Sequence, residues 1–255
     1  MGLIKNKHSV DENLAKLRSL VEPFEEHYDL LIPRQRRKYE ELKETAIFLI
    51  LYSHDWDIVF DREEPDFILK NGNKYIGLEH TRIIDYSFKS TEGRIEDLFI
   101  RAQSILAKRK SVINRLMNID IKSDFIPKKK NTDEYIRNIC EVIENYLAKN
   151  ILIESNIIEN IRSMPHSHTS IYPNFGAWIE TPVSYSLIID KILEKEKLVP
   201  KYMANTGYKQ WLLLVLGHGG QSSFSLREYI DQKISSPFDK IFILDLTLIK
   251  LFQIK

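Results

Sequence analysis

Two segments, Phe60-Asp-Arg-Glu-Glu-Pro-Asp-Phe-Ile-Leu69 and Tyr75-Ile-Gly-Leu-Glu-His-Thr81, lie on either side of an Asn-Gly-Asn sequence at 71–73. Asn and Gly between two apolar runs are typical of a hairpin turn, so the pattern predicts antiparallel strands over 65–70 and 75–84. A short strand predicted at 56–60 completes a three-strand meander.

Two acidic residues of this meander are candidate metal ligands. Side chains alternate along a strand, so Glu79 faces the same side as Gly77 and Thr81, opposite to His80. Asp66 on the partner strand can converge on Glu79, and two carboxylates on rigid strands suit Mg²⁺ or Mn²⁺. The alternative is that both are surface carboxylates, which strands often carry.

Helices are predicted on both sides of the meander. Apolar spacing predicts one over 10–28 and another from Pro33, a residue suited to a first helical turn, to about residue 53. A helix over 185–198 precedes two strongly apolar strands, at 210–217 and 238–246, with a polar helical segment near 225–233 between them. This order favours parallel pairing of the two strands.

These features together resemble the PD-(D/E)XK, or restriction-endonuclease-like, nuclease superfamily. Its core is a helix, a three-strand meander, a helix and two further strands. Pro65-Asp66 matches its Pro-Asp, and Glu79-His80-Thr81 falls at its (Asp/Glu)-X-Lys. The likeness covers roughly residues 33–85 and 185–248. The resemblance implies an α/β protein, a metal-dependent nuclease acting on DNA, with Asp66 and Glu79 holding Mg²⁺ or Mn²⁺.

Thr81 departs from the family pattern, because the family has a lysine there that orients water and stabilises the phosphate charge, which a threonine cannot do. By element order Lys191, on the helix before the apolar strands, is the preferred substitute. Lys74 and Arg82 are weaker, since alternation places both opposite to Glu79. The resemblance also implies an acidic residue on the first core helix.

Glu44 is the preferred residue for that acidic position, and its competitors are Glu40 and Glu41, one turn earlier on the same helix. The alternative for Glu44 is an exposed carboxylate paired with a nearby Lys or Arg. For Lys191 it is a solvated helix residue.

A basic region separates the two halves of the resemblance. Residues 101–150 contain 11 Lys and Arg against six Asp and Glu, a surplus of five, in a chain of net charge +1. Helical spacing over 94–118 and 135–147 and strands near 151–161 and 168–172 predict a mostly helical insertion, 94–165, within a single domain over 1–255. Candidate phosphate contacts lie here and at 34–38, where clustered cations can track a nucleic-acid backbone. They are Arg36, Arg37, Lys108, Arg109, Lys110, Lys128, Lys129 and Lys130.

Composition sets the remaining expectations. The chain has 255 residues, 43% of them hydrophobic and 29% charged, which excludes a disordered chain. One cysteine excludes an internal disulfide, and no apolar run approaches a bilayer span, so we expect a cytoplasmic protein without a membrane partner.

Three functions stay open at this stage, and a homodimer is compatible with each. The first is a DNA nuclease. The second is a degenerate nuclease-like module that binds nucleic acid or a protein partner. The third is an unrelated α/β binding protein whose acidic residues 55–66 form an interaction surface.

Overall fold

A computed structural model describes residues 2–4, 8–61, 64–109, 114–176, 181–217, 220–226 and 234–255. The helices in this part of the chain are α1 (Val10–Glu25), α2 (Pro33–Tyr52), α3 (Tyr86–Leu106), α4 (Thr132–Lys149), α5 (Tyr185–Glu196) and α6 (Val199–Thr206). The strands are β1 (Gly2–Ile4), β2 (Asp57–Asp61), β3 (Phe67–Asn71), β4 (Lys74–Arg82), β5 (Arg115–Ile121), β6 (Ile158–Pro165), β7 (Ser170–Asn174), β8 (Thr181–Pro182), β9 (Lys209–Leu216), β10 (Phe224–Ser225), β11 (Lys240–Asp245) and β12 (Lys250–Gln253). The protein is therefore of the α/β class.

The chain divides into two compact units. The first comprises Met1–Ile84, Glu180–Gly219 and Ser223–Lys255, and the second Asp85–Ile179 with Gly220–Ser222. The basic region predicted over 94–165 lies within the second unit. The predicted helical segment near 225–233 lies largely outside the described residues.

The first unit is built on a mixed sheet with the strand order β1-β12-β11-β9-β4-β3-β2. The predicted meander is present, because β2, β3 and β4 pair antiparallel in succession. Beyond it, β4 pairs parallel with β9, and β9 pairs parallel with β11. The second of these two pairings is the one that the sequence predicts. Strands β9 and β11 are continuous apolar runs because both of their faces are covered.

Helices cover the two faces of this sheet. Alternate residues of β9 divide between two cores, with Trp211 and Leu213 in one and Leu212 and Leu214 in the other. The apolar second half of α2 packs into the first core, and α5 packs into the second through its buried isoleucines. A residue of β4 therefore meets α2 or α5 according to whether its number is even or odd.

The second unit is less helical than the sequence predicted. The helix expected over 94–118 ends at Leu106, and residues 115–121 form β5 instead. Met117, Ile119 and Ile121 are buried, a period of two that requires a strand. Strand β5 pairs antiparallel with β6 and parallel with β7, and α3 and α4 share its core.

Candidate active site

Asp66 and Glu79 lie opposite each other at one end of the β3–β4 hairpin. Phe67 pairs with Leu78, so the preceding residue, Asp66, stands across from Glu79 at the next register position. Residues directly opposite in an antiparallel pair have Cβ atoms about 5 Å apart. The backbone N–H of His80 donates to Asp66 Oδ2 at 2.9 Å, which fixes the aspartate against the strand that carries Glu79.

Glu79 is a buried carboxylate with an unusually high proton affinity. Its side chain is only 4% exposed. Burial, with a further contribution from the negative charge of Asp66, raises the pKa of Glu79 from its usual 4.5 to about 7, although Lys195 opposes the shift. Within the described residues Oε2 is buried and accepts no hydrogen bond of ordinary geometry. The carboxylate thus keeps one oxygen for a further partner.

A lysine from helix α5 reaches this carboxylate. Lys195 Nζ lies 2.8 Å from Glu79 Oε1. Burial disfavours its charge, but the hydrogen bond to Glu79 and the combined negative charge of Glu79, Asp66 and Glu194 outweigh it, so the pKa of Lys195 is raised. The ammonium therefore stays protonated throughout the neutral range.

Lys195 takes the place that the sequence analysis gave to Lys191. Lys191, one turn earlier on α5, forms an ion pair with Glu194 at 2.7 Å. Ile188 and Ile192 are the buried residues of the helix, and Lys191 and Lys195 both lie along their stripe, three and seven residues after Ile188. Helical spacing alone does not separate the two lysines. The contact with Glu79 is what favours Lys195 as the lysine of this site.

Tyr202 on α6 is a further neighbour that the sequence did not indicate. It is 2% exposed, and burial together with the negative charge of Glu79 raises the pKa of its hydroxyl. Its helix begins at Val199-Pro200, just after α5. A neutral phenol beside Glu79 adds a polar group without adding charge.

The site has a second lysine, Lys38, which contacts the Asp66 oxygen that does not accept from His80. Lys38 Nζ on α2 lies 3.1 Å from Asp66 Oδ1 and 3.7 Å from Glu41 Oε2. Glu41 is partly buried, and that burial raises the pKa of its carboxyl, with Asp66 adding to the shift. Asp66 therefore interacts with a carboxylate–lysine pair on each side.

Glu44 has contacts other than those the resemblance implied. Arg82 binds it through two nitrogens, with Nη2 at 2.7 Å from Oε1 and Nε at 3.1 Å from Oε2, and His80 Nε2 lies 2.8 Å from Oε2. Arg82 also donates to Glu40. His80 and Arg82 are even-numbered residues of β4, so this cluster meets α2, whereas Glu79 meets α5. The contacts of Glu44 are those of a structural ion-pair cluster.

Thr81 stands where the resembled superfamily has a lysine. It is buried, and in the described part of the chain its Oγ1 has no hydrogen-bond partner. Of the weaker substitutes, Arg82 is committed to Glu44 and Glu40. Among the described residues, the positive charge in contact with Glu79 comes from helix α5 and not from its own strand.

The donor set at this site fits a hard divalent ion. Two adjacent carboxylates, one with a buried oxygen that accepts no hydrogen bond of ordinary geometry from the described residues, offer the oxygen ligands that Mg²⁺ and Mn²⁺ take. Among the described residues no group of three or more His, Cys, Asp or Glu is arranged to hold a metal. An ion here would take its remaining ligands from water or substrate, as Mg²⁺ usually does.

The candidate phosphate-contacting residues are mostly exposed. Lys128, Lys129 and Lys130 lie at a short 3-10 turn before α4. Lys108 and Arg109 follow α3, and Arg109 is paired with Glu144, which reduces its availability. Arg36 and Arg37 lie in the first turns of α2, Arg37 exposed. Lys110 lies outside the described residues.

Comparisons with known proteins give no match that bears on this site. No family model, no curated protein sequence and no solved structure matches this chain. None of the helices in the described ranges combines the length and the apolar character that a bilayer crossing requires.

Proposed function

We propose that the protein is a metal-dependent nuclease that hydrolyses phosphodiester bonds, with DNA as its substrate. The observation that carries the proposal is the contact of Lys195 with Glu79, 2.8 Å between Nζ and Oε1. The contact adds a lysine to Asp66 and Glu79. The site therefore holds an aspartate, a glutamate and a lysine, the three side-chain types that the resembled superfamily uses.

The order of the elements supports the same proposal. Helix α2 precedes the meander β2–β4, and α5 precedes the parallel strands β9 and β11. This is the order that the resemblance to the restriction-endonuclease-like core implies. Helix α5, which follows the second unit in the chain, carries the lysine.

The residues have distinct parts in this chemistry. Asp66 and Glu79 would hold the divalent ion, which when bound lowers the pKa of water and neutralises charge on the phosphate. Lys195 stays charged at neutral pH, so it can orient water and stabilise the negative charge that develops on the phosphate oxygens. Because Lys195 lies on a helix, it can supply the positive charge that the lysine of the resembled motif supplies, although residue 81 is a threonine.

DNA would be held by charge and not by sequence. The exposed lysines at 128–130 and Lys108 offer cations for a phosphate backbone, and binding through them would weaken as salt rises. Replacing Lys128, Lys129 and Lys130 by Ala should therefore reduce the salt dependence of DNA affinity while leaving the site around Glu79 unchanged.

The test compares the wild-type protein with Asp66→Ala and Glu79→Ala, and uses Asp133→Ala as an exposed-carboxylate control. Mn²⁺ binding is measured by calorimetry, and cleavage of plasmid, single-stranded DNA and RNA is followed in the same preparations. We expect Mg²⁺- or Mn²⁺-dependent DNA cleavage that both site variants lose and the control keeps.

Two results would overturn the proposal. Cleavage that survives in both site variants would place the chemistry elsewhere. Site-specific Mn²⁺ binding without cleavage of any substrate would favour the noncatalytic alternative, a nuclease-like module that binds nucleic acid or a protein partner.

A further inference from the structure

A lysine is held within a cage of oxygen atoms beside the proposed active site. Lys38 Nζ lies 3.1 Å from Asp66 Oδ1, 3.5 Å from the Asp66 carbonyl oxygen and 3.7 Å from Glu41 Oε2. The ring of Phe67 completes the cage, with its centroid 4.8 Å from Nζ. The Lys38 side chain is only 17% exposed, so the ammonium is largely withdrawn from water.

The cage has the composition of a cation site. Two carboxylates and a carbonyl are the oxygen donors that a hard metal ion takes, and the aromatic face adds cation–π attraction. Asp66 belongs to this cage through Oδ1, while Oδ2 accepts from the His80 backbone on the strand of Glu79. The Asp66 carboxylate therefore contacts Lys38 through one oxygen and the strand that carries Glu79 through the other.

We propose that the ammonium of Lys38 is a built-in cation that fills the position between Glu41 and Asp66, so that the active site accepts one divalent ion and not two. The inference deepens the proposed function and rests on it. Lys38 is a positioning residue, because it acts on the ion through Asp66.

The charges of the site agree with this inference. When ionised, Glu41, Asp66 and Glu79 carry three negative charges, and Lys38 and Lys195 carry two positive ones. One divalent ion more than neutralises the remaining charge, and a second ion would place several positive charges within a few ångströms. Without Lys38, Glu41 and Asp66 would lose the cation that both of them contact.

The test uses Lys38→Met, which keeps most of the side-chain length and removes the charge, and Lys38→Arg, which keeps the charge. Lys43→Met is the matched control, an exposed lysine of the same helix. Calorimetric titration with Mn²⁺ alone, at pH 8, gives the number of ions bound per chain. We expect Lys38→Met to bind one ion more than wild type, and Lys38→Arg and Lys43→Met to match wild type.

The extra ion is assigned by a second substitution, since Glu41→Gln in the Lys38→Met background should remove it. Equal stoichiometry in Lys38→Met and wild type would overturn the inference, provided that circular dichroism shows both folded. If Lys38→Met does not fold, Lys38→Gln, which also removes the charge, replaces it in the same titration. Equal stoichiometry in Lys38→Gln and wild type would then overturn the inference.

The difference in stoichiometry separates this inference from the proposed function. A wild-type protein that binds no ion would contradict the proposed metal site at Asp66 and Glu79. Lys38→Met would still have to gain one ion for the cage to be a cation position.

Discussion

Glu79→Gln should stabilise the protein at alkaline pH, because the substitution replaces a buried charge with a neutral group of the same shape. The pKa of Glu79 rises from 4.5 in a solvated chain to about 7 in the fold. A folded-state pKa above the unfolded value means that stability is fully present below pH 4.5 and is lost as the pH rises to about 7. Above that range the ionised carboxylate costs about 3 kcal/mol, at 1.36 kcal/mol for each unit of pKa.

The assay is urea unfolding of wild type and Glu79→Gln at pH 5 and pH 8, with a chelator present to exclude divalent ions. Most of the cost is still absent at pH 5, so the advantage of the variant should grow by about 2 kcal/mol between the two values. Groups that do not interact with Glu79 titrate equally in both proteins and cancel. Glu159→Gln, an exposed carboxylate, is the control and should show no such change. A difference that is independent of pH, or a variant that becomes relatively less stable at pH 8, would refute the reasoning.

Three further substitutions test the structure around the site by urea unfolding. Arg82→Ala should cost about 3 kcal/mol, because it removes the two-nitrogen contact from the largely buried Glu44 carboxylate, and a loss below about 1 kcal/mol would contradict this. Gly77→Ala should cost about 2 kcal/mol, since the new Cβ would lie 2.1 Å from Gln210 Oε1 in a buried side chain, and its cost should be smaller in a Gln210→Ala background. Thr81→Val should stabilise the fold by about 1 kcal/mol, because the valine removes a buried hydroxyl without a partner in the described chain, and destabilisation would reveal a partner for that hydroxyl.

Local patterns predicted much of the sheet. Alternation and the Asn-Gly turn predicted the hairpin, and the order strand, helix, strand predicted the parallel pairing of β9 and β11. The elements of the second unit were harder to predict, because a helix and then a strand follow in the chain and both are rich in isoleucine and leucine. Only the period of two at Met117, Ile119 and Ile121 separates the strand from the helix before it.

The residues of the candidate site that lie on one hairpin were predictable from the sequence. Those that come from elements distant in sequence were not. Asp66 and Glu79 follow from hairpin register alone. Lys195, Lys38 and Tyr202 required the placement of α5, α2 and α6 against the sheet, which no local pattern contains. Glu44 was chosen by its distance in sequence from the meander, but Arg82 and His80 lie within reach and bind it.

The central claim is that Lys195 supplies the cation that Thr81 cannot. It is tested most directly by measuring Mg²⁺-dependent plasmid cleavage for wild type, Lys195→Ala, Lys197→Ala and the double variant Lys195→Ala/Thr81→Lys. We expect Lys195→Ala to lose about 100-fold or more in rate, as removal of a charge-stabilising group does. The exposed control Lys197→Ala should keep full activity, and a lysine at position 81 should restore part of the loss. Cleavage by Lys195→Ala at the wild-type rate would contradict the claim.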